Sequence, residues 1–325
     1  MLRWGILGPG WIAQRFVGAV QAHTGQQVVA VGSRSVDRAE RFAAGLAIGR
    51  AHGCYNALVA DPDVDIVYIS TPHTEHLRGA LDALHAGKHV LVEKPFGLNA
   101  TQAREIAAAA NAAGLFAGEA MWTRFLPKFD VLKQILDSGG LGPITTVSAD
   151  HGEYFTTDHR IYDPTLAGGP MLDLGTYPIA LAIWAGGEVD GVSATGRPAN
   201  DELNGQISAI IDHTSGAQSV VTTTILSNTP VVASISGRDG FVHLPAPWYH
   251  PGPFSVFPRD GEPLHHVEPI GGHVDGLHFS AVDAARSVAD GRSESAVHPH
   301  ADIVATLSAM DAIRAQLGIE FPGGL

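Results

Sequence analysis

One cysteine, Cys54, is all the thiol in this 325-residue chain. An internal disulfide framework is therefore excluded, and a reducing, cytoplasmic compartment is expected. Charge is also scarce: Asp, Glu, Lys and Arg make up 16% of residues, and 20 Lys and Arg against 33 Asp and Glu leave a net charge of −13. No basic stripe offsets that balance, which argues against a nucleic-acid partner. Long hydrophobic runs are missing. The longest, residues 174–187, carries Tyr177 and Pro178 and falls short of the roughly 20 apolar residues of a bilayer span, so no membrane partner is expected. With a strand starting at residue 2, no signal peptide is expected either. What is present is ample for folding: 45% of residues are apolar, which rules out a largely disordered chain, and the length suits two ordinary domains.

The start of the chain holds the strongest local signal. The apolar run Leu2-Arg3-Trp4-Gly5-Ile6-Leu7 stops at Gly8-Pro9-Gly10, and a helical pattern opens at Trp11-Ile12-Ala13. Strand, glycine turn and helix in that order are what a dinucleotide site needs. Gly8 permits the tight turn, Gly10 lets backbone approach a pyrophosphate, and small Ala13 lets helix and strand pack closely. A bare glycine turn reads equally as punctuation, but its place in a βαβ unit makes Gly8, Gly10, Trp11 and Ile12 candidate cofactor contacts. The second strand, residues 27–32, ends in Ser33-Arg34-Ser35, with Arg38 one turn further on. An acid that would accept from the ribose hydroxyls of NAD is absent there. A guanidinium and a hydroxyl suit the 2′-phosphate of NADP instead, so NADP is expected over NAD. The alternative is that Arg34 and Arg38 are solvated charges at a helix start.

Strand-like and helix-like segments alternate over the first 120 residues, predicting a doubly wound parallel sheet. Further strands are expected at residues 66–70, 89–93 and 115–119, with Ala-rich helices at 75–86 and 100–113. After that the pattern changes. A helix at 126–137 is followed by β-type segments at 144–149, 189–195, 206–212, 219–225, 231–237 and 241–244, with a helix at 171–184 between them and two more at 278–290 and 303–317. That succession predicts an α+β domain with a large, mostly antiparallel open sheet. The division expected is residues 1–120 for the dinucleotide and 121–325 for substrate and oligomerisation. Helices sufficient for one face of the second sheet leave the other for a homodimer or higher homo-oligomer.

Three motifs stand out: Ser70-Thr71-Pro72-His73-Thr74-Glu75-His76, then Glu93-Lys94-Pro95-Phe96, then Gly168-Gly169-Pro170-Met171-Leu172-Asp173-Leu174-Gly175-Thr176-Tyr177. On these residues the chain resembles, over essentially its whole length, the Gfo/Idh/MocA oxidoreductase family, with a Rossmann domain first. The Glu-Lys-Pro triplet after a Rossmann strand is the most specific mark. Trp122-Thr123-Arg124-Phe125, Tyr177 and Ser33-Arg34 look most like the branch of dimeric dihydrodiol dehydrogenases and NADP-dependent D-xylose 1-dehydrogenases. Many sugar and inositol dehydrogenases of the family carry His where this chain has Tyr177.

The resemblance implies that Lys94 is the catalytic lysine beside the nicotinamide, preceding a Lys-Pro bond that is often cis in relatives. Glu93 would orient it, and Thr71, Pro72 and His76 would line the cofactor groove. Tyr177 falls on the acid/base position and Asp173 on a substrate-binding one, with Trp122 and Arg124 as further substrate contacts. The chemistry agrees: oxidising a carbon that bears a hydroxyl needs a base for the hydroxyl proton. A phenol, with pKa about 10, becomes a usable base when an ammonium such as Lys94 favours its ionised form. Asp173 and Tyr177 are four apart and share one face if the segment is α-helical. Blander readings stay open: Tyr177 as a core aromatic, Asp173 as a helix cap, Trp122 and Phe125 as packing between domains.

The expected activity is NADP-dependent hydride transfer to or from an aldose C1 or a cyclic vicinal diol. Its rivals are NAD-assisted glycoside cleavage without net redox, which the Ser33-Arg34 pair speaks against, and a non-catalytic NADP-binding sensor, which has no need of Lys94, Asp173 and Tyr177 together. The 17 histidines include His265-His266, His273, His278 and His298-Pro299-His300 in loop-like sequence without ligand spacing. They are expected at the surface or in a cleft, with no metal bound.

Overall fold

The computed structural model describes residues 1–322, and the chain folds into two compact units with one sheet each. Unit one comprises Met1–Gly97, Thr101–Phe125 and Gly272–His300; unit two comprises Leu98–Ala100, Leu126–Gly271 and, among the described residues, 301–322. The chain therefore enters unit one, leaves it, and returns.

Unit one holds β1 (Arg3–Leu7), β2 (Gln27–Gly32), β3 (Arg50–His52), β4 (Ile66–Ile69), β5 (His89–Glu93) and β6 (Ala117–Ala120), all parallel in the order β3-β2-β1-β4-β5-β6. Its helices are α1 (Trp11–His23), α2 (Val36–Gly45), α3 (Tyr55–Val59), α4 (His76–His85) and most of α5 (Ala100–Ala113). Strands β4 and β5 are apolar along almost their whole length and buried on both faces, as a parallel sheet covered on both sides requires. The doubly wound expectation is met. The sixth strand lies two residues later than the 115–119 expected, because the Phe116 N–H is taken by Nδ1 of His89 at 2.9 Å and the Leu115 N–H by the Ala110 carbonyl.

Unit two opens with α6 (Pro127–Asp137) and builds an eight-stranded sheet in the order β14-β13-β12-β11-β7-β10-β9-β8. Its strands are β7 (Ile144–Gly152), β8 (Val189–Pro198), β9 (Asn204–His213), β10 (Gln218–Thr224), β11 (Ala233–Gly237), β12 (Gly240–Leu244), β13 (Phe254–Pro258) and β14 (Leu264–His266). Every pairing is antiparallel except β7 with β10. Strands β13 and β14 lie beyond the last strand expected, at 241–244: Pro251, Pro253 and Pro258 hide a short Phe-Ser-Val-Phe alternation. Along β7 the period of two buries Val147, Ala149 and His151 on one face. The helix α7 (Thr176–Gly186) packs across β7 and β10.

The expected helix at 171–184 is corrected in one respect. Residues Met171–Gly175 form a π-turn, and the α-helix begins only at Thr176. Asp173 and Tyr177 therefore lie in different helical segments, so a shared α-helical face does not describe them. Together with preceding 3-10 turns, the run Pro164–Gly186 reaches 23 residues, long and apolar enough to cross a bilayer by composition. Its most apolar window is 83% buried inside the protein, the position of a core helix. The chain closes with α8 (His273–Gly276), α9 (His278–Ala289) and α10 (His300–Leu317).

Candidate active site

Ladder register sets the dinucleotide end of unit one. Leu7 faces Gly32 on one side and Ile69 on the other, so Gly8, Ser33 and Ser70 emerge together at the carboxyl edge where the strand order reverses. That edge is where open α/β sheets bind ligands. Gly8 has φ +99° and donates its N–H to the Gly32 carbonyl at 3.1 Å. A Cβ there would stand 3.0 Å from the Ser70 carbonyl oxygen, so conformation and space both demand glycine. Helix α1 starts with Gly10 at its N-cap, no side-chain cap and no acid in its first turn, leaving its N-terminus open to an anion. The Thr71 hydroxyl, on a residue 7% exposed, has no hydrogen-bond partner. Arg38 and Arg41 line a surface depression with Pro9 and Gln14. An uncapped helix end, a glycine cradle and an unmatched hydroxyl at the switch point fit a nicotinamide dinucleotide.

The Glu93-Lys94-Pro95-Phe96 loop follows β5 directly and is clamped at successive positions. The Pro95 carbonyl meets Nδ1 of His76 at 2.8 Å, and Nε2 of the same ring meets the Thr71 carbonyl at 3.0 Å. Burial holds His76 below the usual imidazole range, and a neutral ring has one N–H to share between those two carbonyls. The Phe96 N–H donates to Oε1 of Glu119 at 2.7 Å, while Oε2 of Glu119 meets Nε2 of His298 at 2.7 Å. Glu93 accepts from the Tyr68 hydroxyl and from the Lys94 N–H. Burial pushes its carboxyl up to about 7 against the pull of those donors and of Lys94. The Lys94–Pro95 peptide is cis, and the Lys94 side chain is half-buried.

In unit two, the turn before α7 tolerates nothing larger than glycine at residue 168. A Cβ there would lie 2.5 Å from the Ile161 carbonyl oxygen and 2.7 Å from that of Asp163. Tyr177, in the first turn of α7, is 6% exposed. Its ring packs against His151 (centroids 5.3 Å) and Tyr249 (4.8 Å), and those two rings stack on each other at 4.4 Å. Nε2 of His151 meets Oε1 of Glu153 at 3.3 Å, and the Tyr249 hydroxyl donates to the same oxygen at 3.4 Å. The contact with His151 holds the Glu153 carboxyl below its usual range, against burial. Asp173 pairs with Arg160 at 3.0 Å. Beneath Tyr249, buried Lys128 donates to the Trp248 carbonyl at 2.7 Å, and burial lowers its ammonium to about 8.

Comparison with known proteins agrees with both units. Residues 2–119 match the profile of the oxidoreductase family with an NAD-binding Rossmann fold, and residues 129–243 match the C-terminal domain of the Gfo/Idh/MocA group. The chain belongs to the Gfo/Idh/MocA family. It is an oxidoreductase with an NAD(P)-binding Rossmann domain. It is 34% identical to the trans-1,2-dihydrobenzene-1,2-diol dehydrogenase of Bos taurus, over 99% of this chain and 98% of that one. Among solved structures, a 3-ketoreductase from Actinomadura kijaniata in complex with NADP and TDP-benzene superposes with TM-score 0.82 at 26% identity, covering 97% of each chain. Aldose-aldose oxidoreductase from Caulobacter crescentus, complexed with glycerol, gives TM-score 0.86 at 25% identity over 98% of each chain.

Within this Gfo/Idh/MocA chain, the expected cofactor residues Gly8, Gly10, Trp11, Ile12, Ser33, Thr71, Pro72, His76, Glu93 and Lys94 all lie on unit one at or just beyond strand ends. Arg34 and Arg38 are exposed. Ser33 is 4% exposed, and its hydroxyl accepts from the Ser35 N–H at 3.2 Å. His76 is wholly buried, bracing two carbonyls. Trp122 is 1% exposed and stacks at 5.0 Å on His273, whose other side meets Trp11 at 5.0 Å. Arg124 is buried and donates to the Val297 carbonyl at 3.2 Å.

Of the C-terminal histidines expected at the surface or in a cleft, three lie buried in the fold. His298 is 2% exposed, His278 8% and His300 9%, because the returning segment Gly272–His300 is built into unit one. The sequence reading missed His151, Glu153, Arg160 and Tyr249. The only trace of His151 was a polar residue at a core position of an alternating strand.

Proposed function

We propose that this chain is a cytoplasmic, NADP-dependent oxidoreductase that transfers a hydride between the nicotinamide and an aldose C1 or a cyclic vicinal diol. The observation that carries the reading is the clamped Glu93-Lys94-Pro95 loop at the carboxyl end of β5, one strand from the switch point of a dinucleotide-binding sheet. The named activities of the bovine dehydrogenase and the bacterial aldose oxidoreductase support the two substrate classes. Preference for NADP is supported by Arg34, Arg38 and Arg41, and by the missing acid at the end of β2.

Bound nicotinamide supplies the hydride acceptor or donor, and the protein manages position and protons. Tyr177, as phenolate, takes the hydroxyl proton when the substrate is oxidised and returns it on reduction. Glu93 orients the lysine backbone at the nicotinamide end of unit one. Asp173, steered by Arg160, takes a substrate hydroxyl, with Trp122 and Arg124 as further substrate contacts.

Lys94→Ala and Tyr177→Phe are each expected to lower kcat at least about a hundredfold while NADP still binds. Near wild-type turnover by either variant refutes its assigned role. Titration with both cofactors tests the other half, and NAD binding as tightly as NADP defeats that preference. A homo-oligomer through the open face of the eight-stranded sheet is part of the same proposal. Ile210 on β9 and its cross-strand partner Val220 on β10 are 39% and 41% exposed, and Phe241 on β12, stacked on Phe257, is 42% exposed. Sedimentation as a monomer at micromolar concentration removes that element.

A further inference from the structure

The alternation of β7 calls for an apolar side chain at position 151, beside Val147 and Ala149, and the chain places an imidazole there, 2% exposed. Burying it among aromatics costs free energy unless both ring nitrogens are matched. Nε2 is matched by Glu153. Nδ1 is buried and has no hydrogen-bond partner.

Two phenols pack on this ring. Tyr249 stacks on its face and gives its hydroxyl to Glu153, and Tyr177 lies tilted at 55°. A carboxylate at Nε2 favours the doubly protonated ring, in which Nδ1 is an unmatched donor and the positive charge favours a phenolate beside it. Glu153 remains a carboxylate over the working range, since His151 holds it below its usual range. With its side chain 44% exposed, it also links the buried ring to water.

We propose that His151 and Glu153 form a positioning pair for Tyr177, in which the carboxylate supports the charged imidazole and that charge biases the phenol toward phenolate. The proposal rests on Tyr177 being the acid/base group. Proton balance is simple: the phenolic proton is the one exchanged with the substrate hydroxyl, His151 and Glu153 keep their own protonation, and no electrons are exchanged. Other charged groups around the cluster are few. Asp173 lies close enough to act on Glu153, with Arg160 neutralising it. His250 sits edge-on to Tyr249 at 4.6 Å, kept below the usual imidazole range by burial and by Lys128. Asp150 is occupied by the Val231 and Val232 N–H groups.

The experiment is an ultraviolet difference titration of the Tyr177 phenolate in NADP-bound enzyme, using Tyr177→Phe as the blank, repeated in His151→Phe and Glu153→Gln. The pH profile of kcat with D-xylose is recorded in parallel. Both variants are expected to move the phenolate midpoint and the ascending limb upward by about one pH unit, with Glu153→Asp restoring part of the shift. An unmoved midpoint in both overturns the pairing, even if stability or KM changes. Should His151→Phe fail to fold, Glu153→Gln decides alone, since that side chain is part-exposed. Full turnover by Tyr177→Phe brings down the acid/base reading itself. An inactive Tyr177→Phe with unmoved midpoints brings down only the pairing.

Discussion

The two units build their chemistry by different means. In unit one the work falls to backbone: a glycine at φ +99°, an uncapped helix end, and a loop whose carbonyls and N–H groups are gripped by His76, Glu93 and Glu119. In unit two it falls to side chains from a strand, a loop, a π-turn and a helix, gathered around Tyr177. A backbone site is written as a short motif because its requirements are local. A side-chain site is scattered, because any element that reaches the same place can supply a member.

The sharpest way to break this contrast is to attack a brace in unit one that touches no ligand. Glu119→Ala leaves His298, 2% exposed, without its carboxylate and leaves the Phe96 N–H unmatched. Leaving a buried polar group unmatched costs roughly 1–3 kcal/mol for each of the two groups, so denaturant melts should show a loss of several kcal/mol. Activity of the surviving folded fraction should fall as well, because the lysine loop loses its hold. A loss below about 1 kcal/mol would mean that the loop is held by other contacts.

Glu93 tests the same unit by pH. Its carboxyl is raised from 4.5 to about 7 by burial, so its contribution to stability is fully present below the unfolded value. That contribution is lost as pH rises through the folded one. Wild type should therefore lose about 3 kcal/mol relative to Glu93→Gln between roughly pH 4 and 8. Equal pH dependence of the two proteins' melting curves would show that the buried carboxyl is not destabilised by its charge.

These differences also mark what could be read from the chain. Gly8, Gly10 and the Glu93-Lys94-Pro95 triplet announce themselves because backbone geometry restricts the residue types allowed, and the parallel doubly wound sheet follows from alternation. His151 and Glu153 lie 24 or more positions before Tyr177, and only the parallel pairing of β7 with β10 beneath α7 brings them to it. The π-turn at Met171–Gly175 was hidden because composition does not distinguish it from the first turn of a long helix. The C-terminal histidines misled for a related reason. Short Gly- and Pro-rich connections look like surface, yet here they carry the chain back into unit one.

The smallest expected effect decides what Asp173 is for. Arg160 is about half exposed, and its bond to Asp173 at 3.0 Å is worth little to the fold, roughly 0–1 kcal/mol for a solvated pair. Asp173 supplies no cap to the turn it occupies: the N-cap residue is Pro170, with no side-chain cap. Arg160→Ala should therefore barely move the melting curve and leave Kd for NADP untouched. If Asp173 receives a substrate hydroxyl, removing the guanidinium that steers its carboxylate should raise KM for D-xylose severalfold with little change in kcat, the pattern of lost uniform binding. A stability loss well above 1 kcal/mol with KM unchanged would instead assign the Arg160–Asp173 pair to the architecture of unit two. The side-chain site would then shrink to Tyr177 and the rings that pack on it.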